Sequence, residues 1–174
     1  MKALVIGLLL LSASAPAICA QVASWSAWPV TGSAKLTWAF LDVYNSELRT
    51  PSGKYRPNEW PLALVVSYLR DISREDLTEA TADQWKALGL LDEANQHHWL
   101  QAVQAIWPDA TSGNEITFLA DQHGGQFYYQ ADKKHDIVPL GQHFSPAFRD
   151  AFLAIWLSPS TQYPQLRTGL IGPR

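Results

Sequence analysis

The chain has 174 residues, 13 of them basic (Lys or Arg) and 16 acidic (Asp or Glu), so its net charge at pH 7 is −3. It contains no extended run of lysines or arginines, which argues against nucleic acid or an anionic membrane surface as the main partner. The eight tryptophans are many for this length. We expect most of them in the core or in the wall of a pocket, because aromatic side chains dominate buried area.

The first residues have the pattern of a secretory signal peptide. A single positive charge at Lys2 precedes an apolar run over residues 4–11, and small residues follow as far as Ala20. The sequence therefore predicts a signal peptide over residues 1–20, one domain over residues 21–174, and a periplasmic or secreted protein without a transmembrane segment after cleavage. Cys19 is the only cysteine. The mature chain is then expected to have neither a disulfide nor a zinc–thiolate site.

The clearest structural pattern is a strand that leads directly into a helix. Residues 62–70 alternate between two faces after Pro61, which predicts a strand. Ser73 then stands three residues before Asp76, a spacing close to that of a capping box, and predicts a helix that ends near Gly89. Before this segment, residues 31–50 are typical of two strands or one long bent strand.

The remaining elements alternate in the same way. A second helix is predicted from Asp92 to the residue before Pro108, then a hairpin around residues 123–125 and a strand over residues 134–141. Ser145 and Pro146 begin a further helix, and residues 163–171 add a short one. Strands, helices, strands and a helix in this order predict an α+β fold, with a large antiparallel sheet and a layer of helices on one face.

The five histidines do not have the spacing of a metal site. His97 and His98 are adjacent, so on a helix they would point about 100° apart and could not chelate one ion together. His123, His135 and His143 are isolated in the sequence, and the H-E-x-x-H pattern is absent. We therefore predict no metal site. A single histidine as an axial ligand of haem stays open as an alternative.

A lysine in an apolar strand is the more interesting cation. Lys35 lies between Ala34 and Leu36, with Trp38 and Tyr44 nearby in the sequence. An ammonium group against aromatic surface would hold a carboxylate or a phenolate. The alternative is that Lys35 alternates outward and is solvated, as most lysines are.

Three sequence blocks resemble the chalcone isomerase-like proteins, specifically their exported bacterial branch. They are GSAKLTWAFLDVYNSEL (residues 32–48), LVVSYLRDISREDL (residues 64–77) and FSPAFRDAFLAIWLSP (residues 144–159). The resemblance spans residues 31–170. It implies a single α+β domain with a ligand cleft between the sheet and the helices. Members of this family close a chalcone to a flavanone, or lack that activity and bind fatty acids, and haem binding is also associated with it.

The chain departs from the family at the positions that carry the chemistry. Lys35 stands where the family has an arginine in a Gly-x-x-Arg segment, so the charge is kept but the bidentate fork is lost. The family tyrosine is kept as Tyr44. Arg49 replaces an aromatic residue and would supply a guanidinium only if it points inward. The resemblance therefore predicts Lys35, Tyr44 and Arg49 as ligand-binding residues.

The leading hypothesis is a non-catalytic chalcone isomerase-like protein. It would bind a small apolar or amphipathic ligand with an anionic group, of the fatty acid or phenolic type, and would need no cofactor. Lys35 and Tyr44 would lie at the polar end of the cleft. One alternative is an intramolecular lyase or isomerase in which Lys35 stabilises the anion formed from an enone. The other is a haem-binding protein.

Overall fold

The structure, a computed structural model, describes residues 25–172, and one antiparallel sheet of six strands organises it. The predicted signal peptide lies outside the described residues. Neighbours in the sheet follow chain order: β1 (Val30–Trp38), β2 (Leu41–Arg49), β3 (Leu62–Tyr68), β4 (Glu115–Asp121), β5 (Gly124–Gln130) and β6 (Val138–Phe144). The helices are α1 (Arg74–Ala87), α2 (Leu91–Gln96), α3 (Trp99–Ile106), α4 (Pro146–Leu157) and α5 (Pro164–Ile171). None of these helices is long and apolar enough to span a bilayer.

Strand β3 is buried on both faces, which explains why it is apolar at nearly every position. Leu62, Leu64 and Val66 face the helices and belong to the main core. The alternate residues Ala63 and Val65 form a smaller cluster on the other face. That cluster is completed by Trp25, Leu119 and Tyr128, so the N-terminal end of the described chain covers the centre of the sheet's second face.

Local capping signals in the sequence fix where two of the helices begin. The Ser73 hydroxyl accepts a hydrogen bond from the Asp76 backbone N–H, which starts α1, and Gly89 follows its end with a φ of 73°. The Ser145 hydroxyl caps α4 in the same way. The prediction of a single helix between Asp92 and Pro108 is wrong, because this segment forms two helices. It is broken into α2 and α3 at His98, whose φ is 54°.

An aromatic stripe on α4 joins the sheet to the other helices. Phe148, Phe152 and Trp156 are four residues apart and therefore share one face of the helix. The Phe152 ring centroid lies 4.9 Å from that of Phe118 and 5.0 Å from that of Phe127, both of which are on the sheet. These edge-to-face contacts anchor α4, because aromatic pairs in this geometry add to the free energy of burial.

The end of α5 covers the edge of the sheet at β1. A Cβ atom at Gly32 would collide with the backbone carbonyl oxygens of Gly169 and Leu170. Only glycine permits this close approach of helix and strand. The contact keeps part of the β1 edge away from solvent and holds α5 beside the opening of the cavity described below.

The turn between β1 and β2 is strained. Trp38 pairs with Leu41, so Ala39 and Phe40 form a two-residue loop, and their φ values are 48° and 68°. Two-residue hairpin loops with positive φ at both positions favour Asn-Gly. Phe40 is also fully exposed, so its ring gains no burial in return for this backbone conformation.

We therefore expect Phe40→Gly to stabilise the protein. Removing the side chain from a left-handed residue should raise the free energy of unfolding by about 1 kcal/mol, which corresponds to a Tm about 2–4 °C higher for a domain of this size. Thermal unfolding followed by circular dichroism measures the change. Phe40→Ala is the matched control, because it removes the ring but keeps the strained Cβ. Equal Tm values for the two variants would contradict the explanation.

Candidate ligand-binding site

An apolar cavity of about 110 Å³, open at one end, lies between the sheet and the helices α1 and α4. Its floor is made of the helix-facing side chains of β1 to β5, for example Leu64 and Val66. Its roof comes from α1 and α4, and Trp107 and Tyr163 complete the wall. The cavity is therefore where the resemblance predicts a ligand cleft.

Burial of the lining side chains shows which end of the cavity is closed. Phe118 and Phe127 are fully buried at the end beneath the aromatic stripe of α4. Ala80 of α1 is exposed, and Leu36 and Tyr163 are half-buried. The mouth therefore lies between α1, the edge strand β1 and the segment that leads into α5.

Two tyrosine hydroxyls provide polar groups in this apolar wall. The hydroxyl oxygen of Tyr44 accepts a hydrogen bond from Trp156 Nε1 over 3.1 Å, so its own proton stays available for another acceptor. Tyr68 lies beside it on β3, with ring centroids 6.2 Å apart in an edge-to-face arrangement. Among the described residues, no group hydrogen-bonds to the Tyr68 hydroxyl. The pair therefore offers two O–H donors.

Trp107 also lines this wall, but its indole nitrogen is buried out of reach of the cavity space. Its side chain is 5% exposed, and its Nε1–H is buried without a hydrogen-bond partner among the described residues. An unpaired buried donor costs free energy that a suitable acceptor would restore. Sequence reasoning missed Tyr68 and Trp107, although Tyr68 shares the core-facing parity of β3.

The tyrosines of the site remain neutral because they are buried. Burial raises the pKa of Tyr44, and the hydrogen bond from Trp156 offsets only part of that effect. Burial also raises the pKa of Tyr68, and the neighbouring Tyr44 raises it further. No Asp, Glu, Lys, Arg or His is among the described residues that line the cavity. The site is therefore uncharged at physiological pH.

Lys35 is not part of this cavity. It alternates with Leu36, so it lies on the sheet face opposite the helices, where its Nζ is 2.7 Å from Asp42 Oδ2. Both side chains of this pair are about half exposed (50% and 47%). The hydrogen bond from Lys35 holds the pKa of Asp42 below its ordinary value. Lys35 does border an outer groove that shares Leu36 and Tyr163 with the cavity mouth.

Arg49 also points away from the helices. Its Nη2 lies 2.6 Å from Glu47 Oε2, and its Nη1 donates to the carbonyl oxygens of Ser26 and Trp28. The guanidinium thus holds the N-terminal end of the described chain against the second face of the sheet. Of the three residues predicted to bind the ligand, only Tyr44 lines the cavity, and the structure does not bring the three together.

A buried arginine elsewhere is fully engaged by protein groups. Arg149 on α4 lies 3.9 Å from the ring centroid of Trp60, donates to the backbone oxygen of Asp121 over 2.6 Å and pairs with Asp150. Sequence reasoning did not single it out. Its contacts join the start of α4 to the turn between β4 and β5, so its role here is structural.

The histidines lie outside the cavity wall. His143 and His135 pair with Asp121 and Asp132, and the His97 ring stacks on Trp99. Within residues 25–172, no group of three or more His, Cys, Asp or Glu side chains is placed to hold a metal ion. Because no histidine lines this cavity, its residues do not fit a haem held by an axial histidine.

Comparison with solved structures identifies the fold. A crystal structure of a fatty-acid binding protein from Arabidopsis thaliana superimposes with a TM-score of 0.55, at 12% identity, over 79% of this chain and 85% of that one. The α+β chalcone isomerase-like fold predicted from the sequence is therefore confirmed. At this identity the likeness concerns the fold alone.

The sequence relationship is with an uncharacterized bacterial protein. A protein of Haemophilus influenzae is 30% identical over 152 residues, which cover 87% of this chain and 72% of the relative. The chain belongs to the same family as that protein. No family model matches the chain.

The neutral tyrosines should make stability fall at alkaline pH. Tyrosine in the unfolded chain ionises near its ordinary pKa of 10.0, whereas Tyr44 and Tyr68 remain protonated in the folded protein. Their stabilising effect is complete below that pH and is lost as the pH rises above it. Each should contribute a slope of about −1.4 kcal/mol per pH unit to the free energy of unfolding.

Urea unfolding of the wild type and of Tyr68→Phe, at several pH values above about 10, measures this slope. In the variant, the slope should be less steep by the contribution of one tyrosine, about 1.4 kcal/mol per pH unit. At neutral pH, Tyr68→Phe should not be destabilising, because the hydroxyl has no partner to lose. Identical slopes for the two proteins would contradict the burial of an un-ionised Tyr68.

Proposed function

We propose that the protein is an exported, non-catalytic binding protein for a small apolar ligand with one acidic oxygen group, of the fatty acid or phenolic type. The observation that carries this proposal is the cavity between sheet and helices, which is apolar and has hydroxyl donors at Tyr44 and Tyr68. Binding sites for small molecules are commonly apolar with a few polar groups that fix orientation.

The size of the cavity limits the ligand. Pockets for drug-sized compounds measure about 300–1,000 Å³, whereas an apolar cavity of about 150 Å³ in another protein holds benzene. A volume of about 110 Å³ therefore suits one aromatic ring or a short aliphatic chain. A longer chain would have to leave through the mouth beside Ala80 and Tyr163.

The groups in the wall favour binding over catalysis. A general base works best with a pKa near the working pH, and the titratable side chains lining the cavity are tyrosines such as Tyr44, Tyr68 and Tyr163. Their pKa values are all raised, chiefly by burial, so each phenol is already protonated at neutral pH. None of them is therefore available as a general base. The lyase alternative also relied on Lys35, which lies on the other face of the sheet.

Two further observations support the proposal from outside the cavity. The structural neighbour from Arabidopsis thaliana is a fatty-acid binding protein, so this fold accommodates an apolar ligand there. The sequence of residues 1–20 has the pattern of an export signal, which favours a role in the periplasm or outside the cell.

Blocking the mouth should weaken ligand binding. The wild type should bind hexanoic acid and para-cresol, as measured by isothermal titration calorimetry, and native mass spectrometry of the purified protein should show any ligand retained from the cell. Ala80→Trp should weaken binding at least tenfold, because Ala80 lines the mouth and is exposed, so an indole there covers the opening.

The matched control is Ala87→Trp on the same helix. Ala87 is exposed and does not line the cavity. This variant should bind as the wild type does, and both variants should unfold at similar temperatures. Equal loss of affinity in both variants, or unchanged affinity in Ala80→Trp, would place the ligand elsewhere. A wild type that binds neither compound would refute the proposed function.

A further inference from the structure

The cavity that we propose as the binding site contains no positive charge, although its ligand is of an acidic type. Its polar side chains within the described residues are neutral: the tyrosines Tyr44, Tyr68 and Tyr163, with Thr81 and Gln84. The oxygens of Tyr44 and Tyr163 accept hydrogen bonds from Trp156 and Gln84, so these phenols face a ligand through their protons. Lys35, which the sequence predicts at the polar end of the cleft, lies on the opposite face of the sheet and is paired with Asp42. A ligand inside the cavity therefore meets donors without a counter-ion.

This arrangement discriminates against an ionised ligand. Moving a carboxylate or a phenolate into an apolar site without a cation is so costly that the group takes up a proton instead. Neutral O–H and N–H donors recover part of the desolvation cost of a neutral oxygen, but they do not replace a charge partner. The oxygen of the Tyr44 hydroxyl already accepts from Trp156, so the pair of phenols acts towards a ligand through its protons.

Resting on the proposed function, we infer that the protein selects the uncharged form of its ligand. The recognised group is a neutral oxygen acceptor, such as a carbonyl, a protonated carboxyl or an un-ionised phenol, and Tyr68 is a residue that selects it. The ligand is thus taken up as the neutral acid and excluded as the anion. A strand arginine or Lys35 inside the cleft would produce the opposite specificity, because a cation there would favour the anion.

The titratable groups around the cavity also favour an uncharged ligand over an anion. From β2 and β3 the cavity is faced by Tyr44 and Tyr68, and from the segment before α5 by Tyr163. The described lining residues from α1, from the segment between α3 and β4, from β4 and from α4 include no ionisable side chain. Burial raises the pKa of Tyr163, Asp83 on α1 raises it further, and the negative charge of Asp83 would repel an anion at the mouth. Lys35 borders the outer groove beside the mouth, but its charge is paired with Asp42.

A chromophoric phenol tests the inference. Para-nitrophenol ionises near neutral pH and changes its absorbance spectrum on doing so, while para-nitroanisole has the same ring but no ionisable proton. For the wild-type protein, the affinity for para-nitrophenol should fall about tenfold for each pH unit above the pKa of the free phenol. The bound compound should show the spectrum of the neutral form, and the affinity for para-nitroanisole should not depend on pH.

Two variants separate the donor from the packing. Tyr68→Phe keeps the ring and removes the hydroxyl, so it should lower the affinity for both probes about threefold to tenfold. Tyr129→Phe is the matched control. Tyr129 packs against the same core without lining the cavity, so its variant should bind as the wild type does.

The outcomes are distinguishable from failure of the proposed function. Binding of para-nitrophenol as the phenolate, with an affinity that stays constant or rises with pH, would overturn the inference but leave a ligand site in place. Unchanged affinity in Tyr68→Phe would remove Tyr68 from the selection. If neither probe bound to the wild type while Ala80→Trp and Ala87→Trp behaved alike, both the inference and the proposed function would fail.

Discussion

The aromatic stripe of α4 is the constraint on which both the core and the cavity depend. Phe148 and Phe152 fill the space between the helices and the centre of the sheet, where Phe118 and Phe127 meet them. One turn further along the helix, the Trp156 ring packs against Phe152 of the same helix, and its Nε1–H donates to the hydroxyl of Tyr44 on the sheet. The core is thus closed at one end of α4 and open at the other. The cavity forms beyond the region that these large aromatic rings fill.

The two faces of the sheet separate apolar from charged chemistry. The side chains of β2 that face the helices, such as Tyr44 and Leu48, line the cavity or the core. The alternate residues of the same strand face the other way, and Glu47 and Arg49 pair there. Since strand residues alternate strictly, placing a tyrosine in the cavity also places its neighbours outside it. Glu47 and Arg49, which have the opposite parity to Tyr44 on this strand, are therefore excluded from the site by geometry.

Most of the fold could be predicted because its signals are local. Ser73 and Ser145 cap helices, and the strand from Leu62 shows its alternation directly in the sequence. The site could not be predicted in the same way. The facing of Lys35 depends on the register of the β1–β2 pair, which shifts between Leu36 and Thr37 and is fixed only by pairing. Tyr68 has the sequence signature of an ordinary core residue, because a cavity wall and a filled core show the same pattern.

The position of Lys35 also shows that the same fold does not imply the same charged group in the cleft. The resemblance aligns Lys35 with an arginine that stabilises an anion in enzymes of the chalcone isomerase family, yet here the side chain is solvated and its charge is neutralised by Asp42. Tyr44 keeps its place at the cavity, since its ring also packs on Tyr68 and its oxygen holds Trp156. Tyr44 is thus held in the wall by its contacts with the core, whereas Lys35 makes no contact that holds it there. The fold is therefore compatible with a cavity whose described lining carries no charged side chain.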